Sequence, residues 1–220
     1  MALPKVIYIM GPPGAGKGTQ AEMLAKELGY HQFSTGAAFR AVARKDSDLG
    51  RRVHEIINVQ GKLAPPEMAA EIVIDAVKEQ VSKGKGLVFD GTPRTVEEAA
   101  VVDKFFVDND YPDPLPILLT VDREEMIRRN SQRKFCLDVE TEFPVIADED
   151  KARCESLGGR VTTRPDDDPE KFATRWDEFQ NRTKPVADRY KEEGKLIEVD
   201  GMRSIAEVHE NVMGIVNSLR

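Results

Sequence analysis

The chain has 220 residues, of which 40% are hydrophobic and 32% are charged, and its formal net charge is −7. The length favours one α/β domain with insertions, and the negative charge argues against a nucleic-acid partner, which selects basic faces. Because the chain shows no membrane-length apolar run, no export signal and only two cysteines, we expect a cytoplasmic, reducing location with no membrane partner.

Short apolar runs alternate with longer helical patterns along most of the chain. Strands are predicted at 5–10, 30–33, 86–89, 116–121 and 196–199, and helices at 20–28, 65–82, 96–106, 124–133 and 169–193. This alternation is typical of an α/β fold in which helices flank a parallel sheet, here of five strands.

Two segments interrupt the alternation. Residues 34–67 form a helical stretch before the third strand, and residues 134–169 have no sustained period. Long stretches of this kind inside a compact fold are usually functional insertions. We therefore predict a single unit over 1–220, with a core at 1–33, 68–133 and 170–220, a flap at 34–67 and a lid at 134–169. The apolar residues of the lid would give it a small core: Phe135, Phe143, Val145, Ile146, Leu157 and Val161.

The strongest motif lies between the first strand and the first helix, in the sequence Gly11-Pro12-Pro13-Gly14-Ala15-Gly16-Lys17-Gly18-Thr19. Glycines let backbone N–H groups turn towards an anion, and the helix N-terminus adds partial positive charge. Lys17 can reach a transferred phosphate, and a hydroxyl can help to place Mg²⁺. The hydroxyl follows one residue later than in the general P-loop pattern, at Thr19, because Gly18 follows the lysine.

Further motifs follow in order. They are Ser34-Thr35-Gly36-Ala37-Ala38-Phe39-Arg40, Gly61-Lys62-Leu63-Ala64-Pro65, Asp90-Gly91-Thr92-Pro93-Arg94-Thr95, Arg129 with Arg133, Arg164-Pro165-Asp166-Asp167 with Arg175, and Val199-Asp200-Gly201. Together with the loop, they resemble the motifs of adenylate kinases and their nucleoside monophosphate kinase relatives. The resemblance covers nearly the whole chain, and the 134–169 insertion is similar to the long-lid form of that family.

The resemblance implies a P-loop NTPase-type core and reversible phosphoryl transfer from MgATP to AMP, giving two ADP. The residues implied to act on the transferred group are Lys17, Arg94, Arg133, Arg164 and Arg175. Those implied to bind ATP are Gly14, Ala15, Gly16, Lys17, Gly18, Thr19, Arg129, Arg133 and Arg203. Those implied to bind AMP are Thr35, Gly36, Arg40, Lys62, Leu63, Ala64, Gly91, Arg94, Glu98, Arg164 and Arg175. Thr19 and Asp90 would be associated with Mg²⁺, and a monomer is usual in the family.

Three positions of the acceptor site depart from the family pattern. Glu98 stands where the family has a glutamine that reads adenine, and a carboxylate only accepts hydrogen bonds. We expect AMP as acceptor, the alternatives being a different acceptor base or a Glu98 that points to solvent while a neighbour reads the base. Ala37 and Thr92 replace the family's usual aspartate and phenylalanine, which predicts altered acceptor affinity or slower turnover. They also leave open a nucleotide sensor without turnover.

The two cysteines, Cys136 and Cys154, match only half of the zinc motif that some family members carry in the lid. Val139 and Leu157 stand at the other two positions, so the tetrahedral set is incomplete even if Asp138 or Glu155 were to help. We therefore expect no structural zinc. We expect the cysteines to pack as thiols beside Val139 and Leu157 in an apolar lid core. The alternative is a disulfide between them, against which a reducing compartment argues.

Overall fold

A computed structural model describes residues 6–44, 46–60, 62–139, 142–163 and 169–219. Its strands are β1 (Val6–Met10), β2 (His31–Ser34), β3 (Leu87–Asp90), β4 (Leu115–Thr120), β5 (Lys134–Leu137), β6 (Phe143–Val145), β7 (Arg160–Thr162) and β8 (Ile197–Asp200). Its helices are α1 (Lys17–Leu28), α2 (Thr35–Ala43), α3 (Asp48–His54), α4 (Pro66–Ser82), α5 (Val96–Asp108), α6 (Arg123–Gln132), α7 (Asp148–Ser156), α8 (Pro169–Glu178), α9 (Lys184–Glu192) and α10 (Ile205–Ser218). Within the described residues, no helix is long and apolar enough to cross a membrane.

The central sheet has five parallel strands in the order β2-β3-β1-β4-β8, which confirms the predicted α/β class. All five residues of strand β1 are buried. Since successive side chains of a strand point to opposite sides, both faces of β1 are covered. Ile7 and Ile9 pack in a core with α1 and α10, whereas Tyr8 packs with α4, α5 and α9. Both faces of the sheet are therefore covered by helices.

Parallel strands end at the same edge of the sheet, so the segments that follow them are neighbours. The loop after β1, Ser34 at the end of β2 and Asp90 at the end of β3 all lie at this edge. The pairing of Ser34 with Asp90 in the β2–β3 register places these two side chains side by side. This edge holds the candidate site.

The helical stretch predicted before β3 is present as α2, α3 and a π-helical turn at Glu55–Val59. Phe39 and Val53 pack with Ala69 at the start of α4, so this segment has a small core of its own. A second π-helical turn, Phe179–Thr183, lies inside the helix predicted over 169–193, between α8 and α9.

Residues 134–162 contain a second, antiparallel sheet of order β6-β5-β7, with α7 packed beside it. Its small core contains Phe143, both cysteines and, at its edge, Val139 and Val145. The predicted small core is therefore present, although Ile146, Leu157 and Val161 are exposed. The boundaries predicted for core, flap and lid stay predictions.

The prediction that the cysteines are free thiols is wrong, because Cys136 and Cys154 form a disulfide. Strand β5 and helix α7 bring their Cα atoms within 5.6 Å, a separation that a disulfide spans. Leu157 is 55% exposed and is not part of this small core, whereas Val139 packs against it as predicted. Both sulfurs are engaged in the bond, so neither is a thiolate that could hold zinc.

Reduction of this disulfide is expected to destabilise the 134–162 region by about 3 kcal/mol, since the bond closes a loop with a sequence separation of 18. Calorimetry with and without dithiothreitol would measure the effect as a lower unfolding temperature in reductant. The double variant Cys136→Ser/Cys154→Ser is the control, and its unfolding should not respond to reductant. Two titratable thiols in the native protein without reductant would contradict the expectation.

Candidate functional site

The loop between β1 and α1 is shaped for an anion. Gly14 and Gly16 adopt φ angles of 78° and 87°, a left-handed backbone that favours glycine. Gly16 is the N-cap of α1, and no side chain caps the helix. The first N–H groups of α1 are thus open to a ligand, and the helix dipole favours a negative one.

Lys17 is the first residue of α1, and its Nζ donates a hydrogen bond to the Pro12 carbonyl oxygen at 2.8 Å. Part of its side chain still faces the cavity, but the protein around the ammonium removes water. This desolvation lowers the pKa of Lys17 to about 7. The Asp90 carboxylate opposes the shift, whereas Arg94, Arg175 and Arg133 add to it. The predicted lysine therefore lies among four of the other predicted site residues.

Asp90 lies at the end of β3, where the Ser34 hydroxyl donates to its Oδ2 at 3.1 Å. Asp90 and Thr19 line the same cavity as Lys17. Carboxylate and hydroxyl oxygens suit Mg²⁺, which takes one or two protein ligands and completes its shell with water and phosphate oxygens. No group of three or more His, Cys, Asp or Glu residues in the described part of the chain is arranged as a metal cage. The Asp90 and Thr19 oxygens would suit a Mg²⁺ ion that keeps its other ligands as water and phosphate oxygens.

Arg40 on α2 and Arg94 after β3 converge on Gly36. A Cβ atom added at Gly36 would lie 3.3 Å from a terminal nitrogen of each guanidinium group, so a larger residue would push them apart. The Nε of Arg94 donates to the Gly91 carbonyl oxygen at 2.6 Å, which fixes the direction of this side chain. Two guanidinium forks at one point make a site for a phosphate.

Two cavities meet at these residues. The larger, of about 860 Å³, is lined by residues predicted to bind ATP or Mg²⁺: Gly14, Ala15, Gly16, Lys17, Gly18, Thr19, Asp90, Arg129, Arg133 and Arg203. The smaller, of about 130 Å³, is lined by residues predicted to bind AMP: Thr35, Gly36, Arg40, Lys62, Leu63, Ala64, Gly91, Arg94, Glu98 and Arg175. Lys17, Gly36, Arg40, Arg94 and Arg175 line both cavities. Arg164 lies outside the described residues.

The neighbours of Arg129, Arg133 and Arg203 hold these arginines at the wall of the larger cavity. Arg129 pairs with Glu125 on α6, and the Arg203 Nε donates to Asp200 at 3.3 Å. The Arg133 guanidinium lies 5.3 Å from the centre of the Phe135 ring, a cation–π distance. These contacts orient cationic groups towards the larger cavity.

Glu98, in the first turn of α5, lies in the wall of the smaller cavity and is 1% exposed. The alternative in which its side chain points to solvent is therefore wrong. Its Oε2 accepts a hydrogen bond from the Arg94 backbone N–H at 2.9 Å. Burial raises the pKa of Glu98 to about 7, although the Arg94 N–H and the Arg94 charge oppose the shift.

The other two positions that depart from the family pattern, Thr92 and Ala37, each make a hydrogen bond within the site. Thr92 is fully buried, and its hydroxyl shares a hydrogen bond with the hydroxyl of Thr35, one of the predicted acceptor contacts. The Ala37 backbone N–H donates to the Ser34 side chain, which caps α2. Thr92 therefore supports the cavity wall by a polar contact.

Sequence reasoning missed three residues at this site. Glu142 pairs with Arg40 and Arg44, so the predicted lid contacts the predicted flap. Thr183 donates to the Arg94 carbonyl oxygen at 3.0 Å, and Phe179 lines the smaller cavity. Both belong to the π-helical turn, a feature that often marks functional sites but that no residue pattern announces.

Comparison with known proteins identifies relatives along the full chain. A family model described as Adenylate kinase matches residues 9–195. A protein named Adenylate kinase from Carboxydothermus hydrogenoformans is 37% identical over 211 residues, which cover 94% of this chain and 96% of the relative. Proteins of the same name from Lachnoclostridium phytofermentans and Staphylococcus aureus are 34% and 33% identical, each covering 97% of this chain and at least 98% of the relative.

Proposed function

The chain belongs to the adenylate kinase family, and on that premise we propose that it transfers the terminal phosphoryl group of ATP to AMP, giving two ADP, at the junction of the two cavities. The observation that supports this proposal is that several cationic residues line both cavities. Lys17, Arg94 and Arg175 lie where a donor in the larger cavity and an acceptor in the smaller one would meet.

The donor is held at the β1–α1 loop. Backbone N–H groups of residues 14–19 bind the triphosphate, and Arg129 and Arg203 flank the nucleotide. Negative phosphate oxygens beside Lys17 favour its charged form, so donor binding raises the pKa that desolvation lowers. Lys17 is then an ammonium where charge develops on the transferred group.

Asp90 and Thr19 are the residues that would hold Mg²⁺ through its water shell. When bound, the metal neutralises phosphate charge and orients the donor. Ser34 holds the Asp90 carboxylate by the hydrogen bond to Oδ2. Asp90 also attracts the Lys17 ammonium, so the same carboxylate would interact with both Lys17 and Mg²⁺.

The acceptor lies in the smaller cavity. Arg40 and Arg94 bind its phosphate, while Thr35, Glu98 and the backbone at residues 62–64 surround its base. The acceptor is already an anion, so the chemistry needs positioning and charge neutralisation rather than a general base. Arg133, Arg164 and Arg175 complete the cationic ring around the transferred group.

The lid closes the site. Glu142 already links it to Arg40 on α2 and to Arg44 just after this helix, and Arg164 in the lid joins the transferred group on closure. We place the enzyme in the cytoplasm as a monomer. The disulfide is unusual for a reducing compartment, so its oxidation state there is set by the local redox poise.

The test is a coupled assay of ADP formation from MgATP with AMP, GMP, CMP or UMP as acceptor. We expect turnover with AMP and the highest kcat/KM for AMP at pH 6.5. Binding of AMP and ATP without ADP formation would identify a sensor instead. A higher kcat/KM for another acceptor at this pH would overturn the assignment of AMP.

A further inference from the structure

We propose that Glu98 reads the adenine ring of AMP as a neutral carboxylic acid, so that the preference of the enzyme for AMP weakens as this acid ionises. This inference rests on the proposed function of the smaller cavity as the AMP site.

One oxygen of Glu98 is left without a partner. Oε2 accepts from the Arg94 N–H, and the Thr95 hydroxyl accepts from the Glu98 N–H at 3.1 Å. Oε1 is buried and makes no hydrogen bond within the described part of the chain. An orphaned polar atom costs free energy unless a ligand or water satisfies it, and here it belongs to a side chain that lines the smaller cavity.

Adenine offers one acceptor, the ring nitrogen, next to one donor, the amino group. A neutral carboxylic acid matches this edge, because its O–H donates to the ring nitrogen and its carbonyl oxygen accepts from the amino group. Oε2, which already accepts from Arg94, has a second lone pair for the amino group, and the unpartnered Oε1 carries the proton. An ionised Glu98 has no O–H to donate, so one of its oxygens would repel the lone pair of the ring nitrogen.

The surroundings keep about half of the acid neutral at pH 7 and most of it neutral at pH 6. Burial in the cavity wall outweighs the Arg94 charge and raises the pKa of Glu98 to about 7. On the sheet side, Tyr8 of β1 lies close enough for the Glu98 charge to add to the rise in the Tyr8 pKa that burial causes. Among the residues that the structure describes, the other charged groups that line the cavity are Lys17, Arg40, Lys62, Arg94, Arg175 and Glu178.

The test compares kcat/KM for AMP between the wild type and Glu98→Gln from pH 5.5 to 8.5 at saturating MgATP. An amide presents the same donor and acceptor at every pH, so the two proteins should be equal within about twofold at pH 6. The variant should be about tenfold better at pH 8, where a group of pKa about 7 is one-tenth protonated. Titration of the AMP phosphate and of Lys17 affects both proteins and cancels in the ratio. A ratio that is constant with pH would overturn the inference.

Glu97→Gln is the matched control, since Glu97 is an exposed neighbour in the same helical turn. It should keep the wild-type profile. A second measurement needs no variant: the wild-type ratio of kcat/KM for AMP to that for GMP should fall as pH rises. The carboxylate suits the two adjacent donors of guanine, while both acceptors share the same phosphate titration. A constant ratio would also overturn the inference.

The two levels of failure are distinct. If neither protein forms ADP from AMP at any pH, the proposed function fails. If both are active with parallel pH profiles, only the role of Glu98 fails.

Discussion

Replacing Lys17 with methionine is expected to lower kcat by about 10²–10³-fold, with the free energy of unfolding unchanged or increased. The loss in rate follows because Lys17 lies at the junction of the cavities, where a preorganised cation stabilises developing charge. The stability is maintained because desolvation of the ammonium, together with repulsion from three arginines, outweighs its attraction to Asp90. An apolar chain of similar length therefore removes a charge that is unfavourable on balance. Steady-state kinetics and urea unfolding measure the two effects.

The matched control is Lys26→Met. Lys26 is an exposed residue in the last turn of the same helix, and it lines neither cavity. Its replacement should leave kcat unchanged. A Lys17 variant with more than a tenth of the wild-type kcat would contradict the role given to this residue.

Replacing Arg94 with alanine is expected to lower kcat/KM for AMP by about 10²–10³-fold, since paired charge-assisted hydrogen bonds to a phosphate are worth about 3–4 kcal/mol together. Arg94→Lys should recover only part of the loss, because an ammonium keeps the charge but not the planar fork. The KM for ATP should change much less than the KM for AMP, although Arg94 lines both cavities.

Arg51→Ala serves as the control, because Arg51 is 65% exposed on α3 and pairs only with the surface acids Asp46 and Asp48 among the described residues. A larger effect of Arg94→Ala on the KM for ATP than on the KM for AMP would show that Arg94 serves the donor. Thermal unfolding separates binding from folding, since the Arg94 Nε bond to Gly91 is lost as well.

The ion pair between Glu142 and Arg40 joins the predicted lid to the predicted flap. Both side chains are largely buried, with exposed fractions of 11% and 17%. If Arg40 binds the acceptor phosphate as proposed, that phosphate and the Glu142 carboxylate would share one guanidinium group.

Much of the candidate site could be predicted because its residues follow strand ends. The loop at 11–19, Ser34 and Asp90 are far apart in sequence, but a parallel sheet brings the carboxyl ends of β1, β2 and β3 to one edge. Buried β-branched runs predict such strands, whereas the meeting of Lys17 with Asp90 and Arg94 is implied by the family resemblance and follows from the observed strand order.

Contacts between irregular or surface elements could not be predicted in this way. Glu142 is one of many acids in an acidic segment, and no periodicity marks it as the partner of Arg40. The hydroxyl pair of Thr35 and Thr92 joins the first residue of α2 to the turn after β3. The π-helical turn changes helix register by a local hydrogen-bonding shift that residue types do not specify.

The sequence by itself determined the α/β sheet, the phosphate loop and the family resemblance, because apolar periodicity and motif spacing are local properties of the chain. Only the tertiary structure decided that Cys136 and Cys154 are bonded and that Glu98 is buried with one oxygen unpartnered. A disulfide depends on the distance between two elements, and the charge state of an acid depends on the water removed by residues distant in sequence.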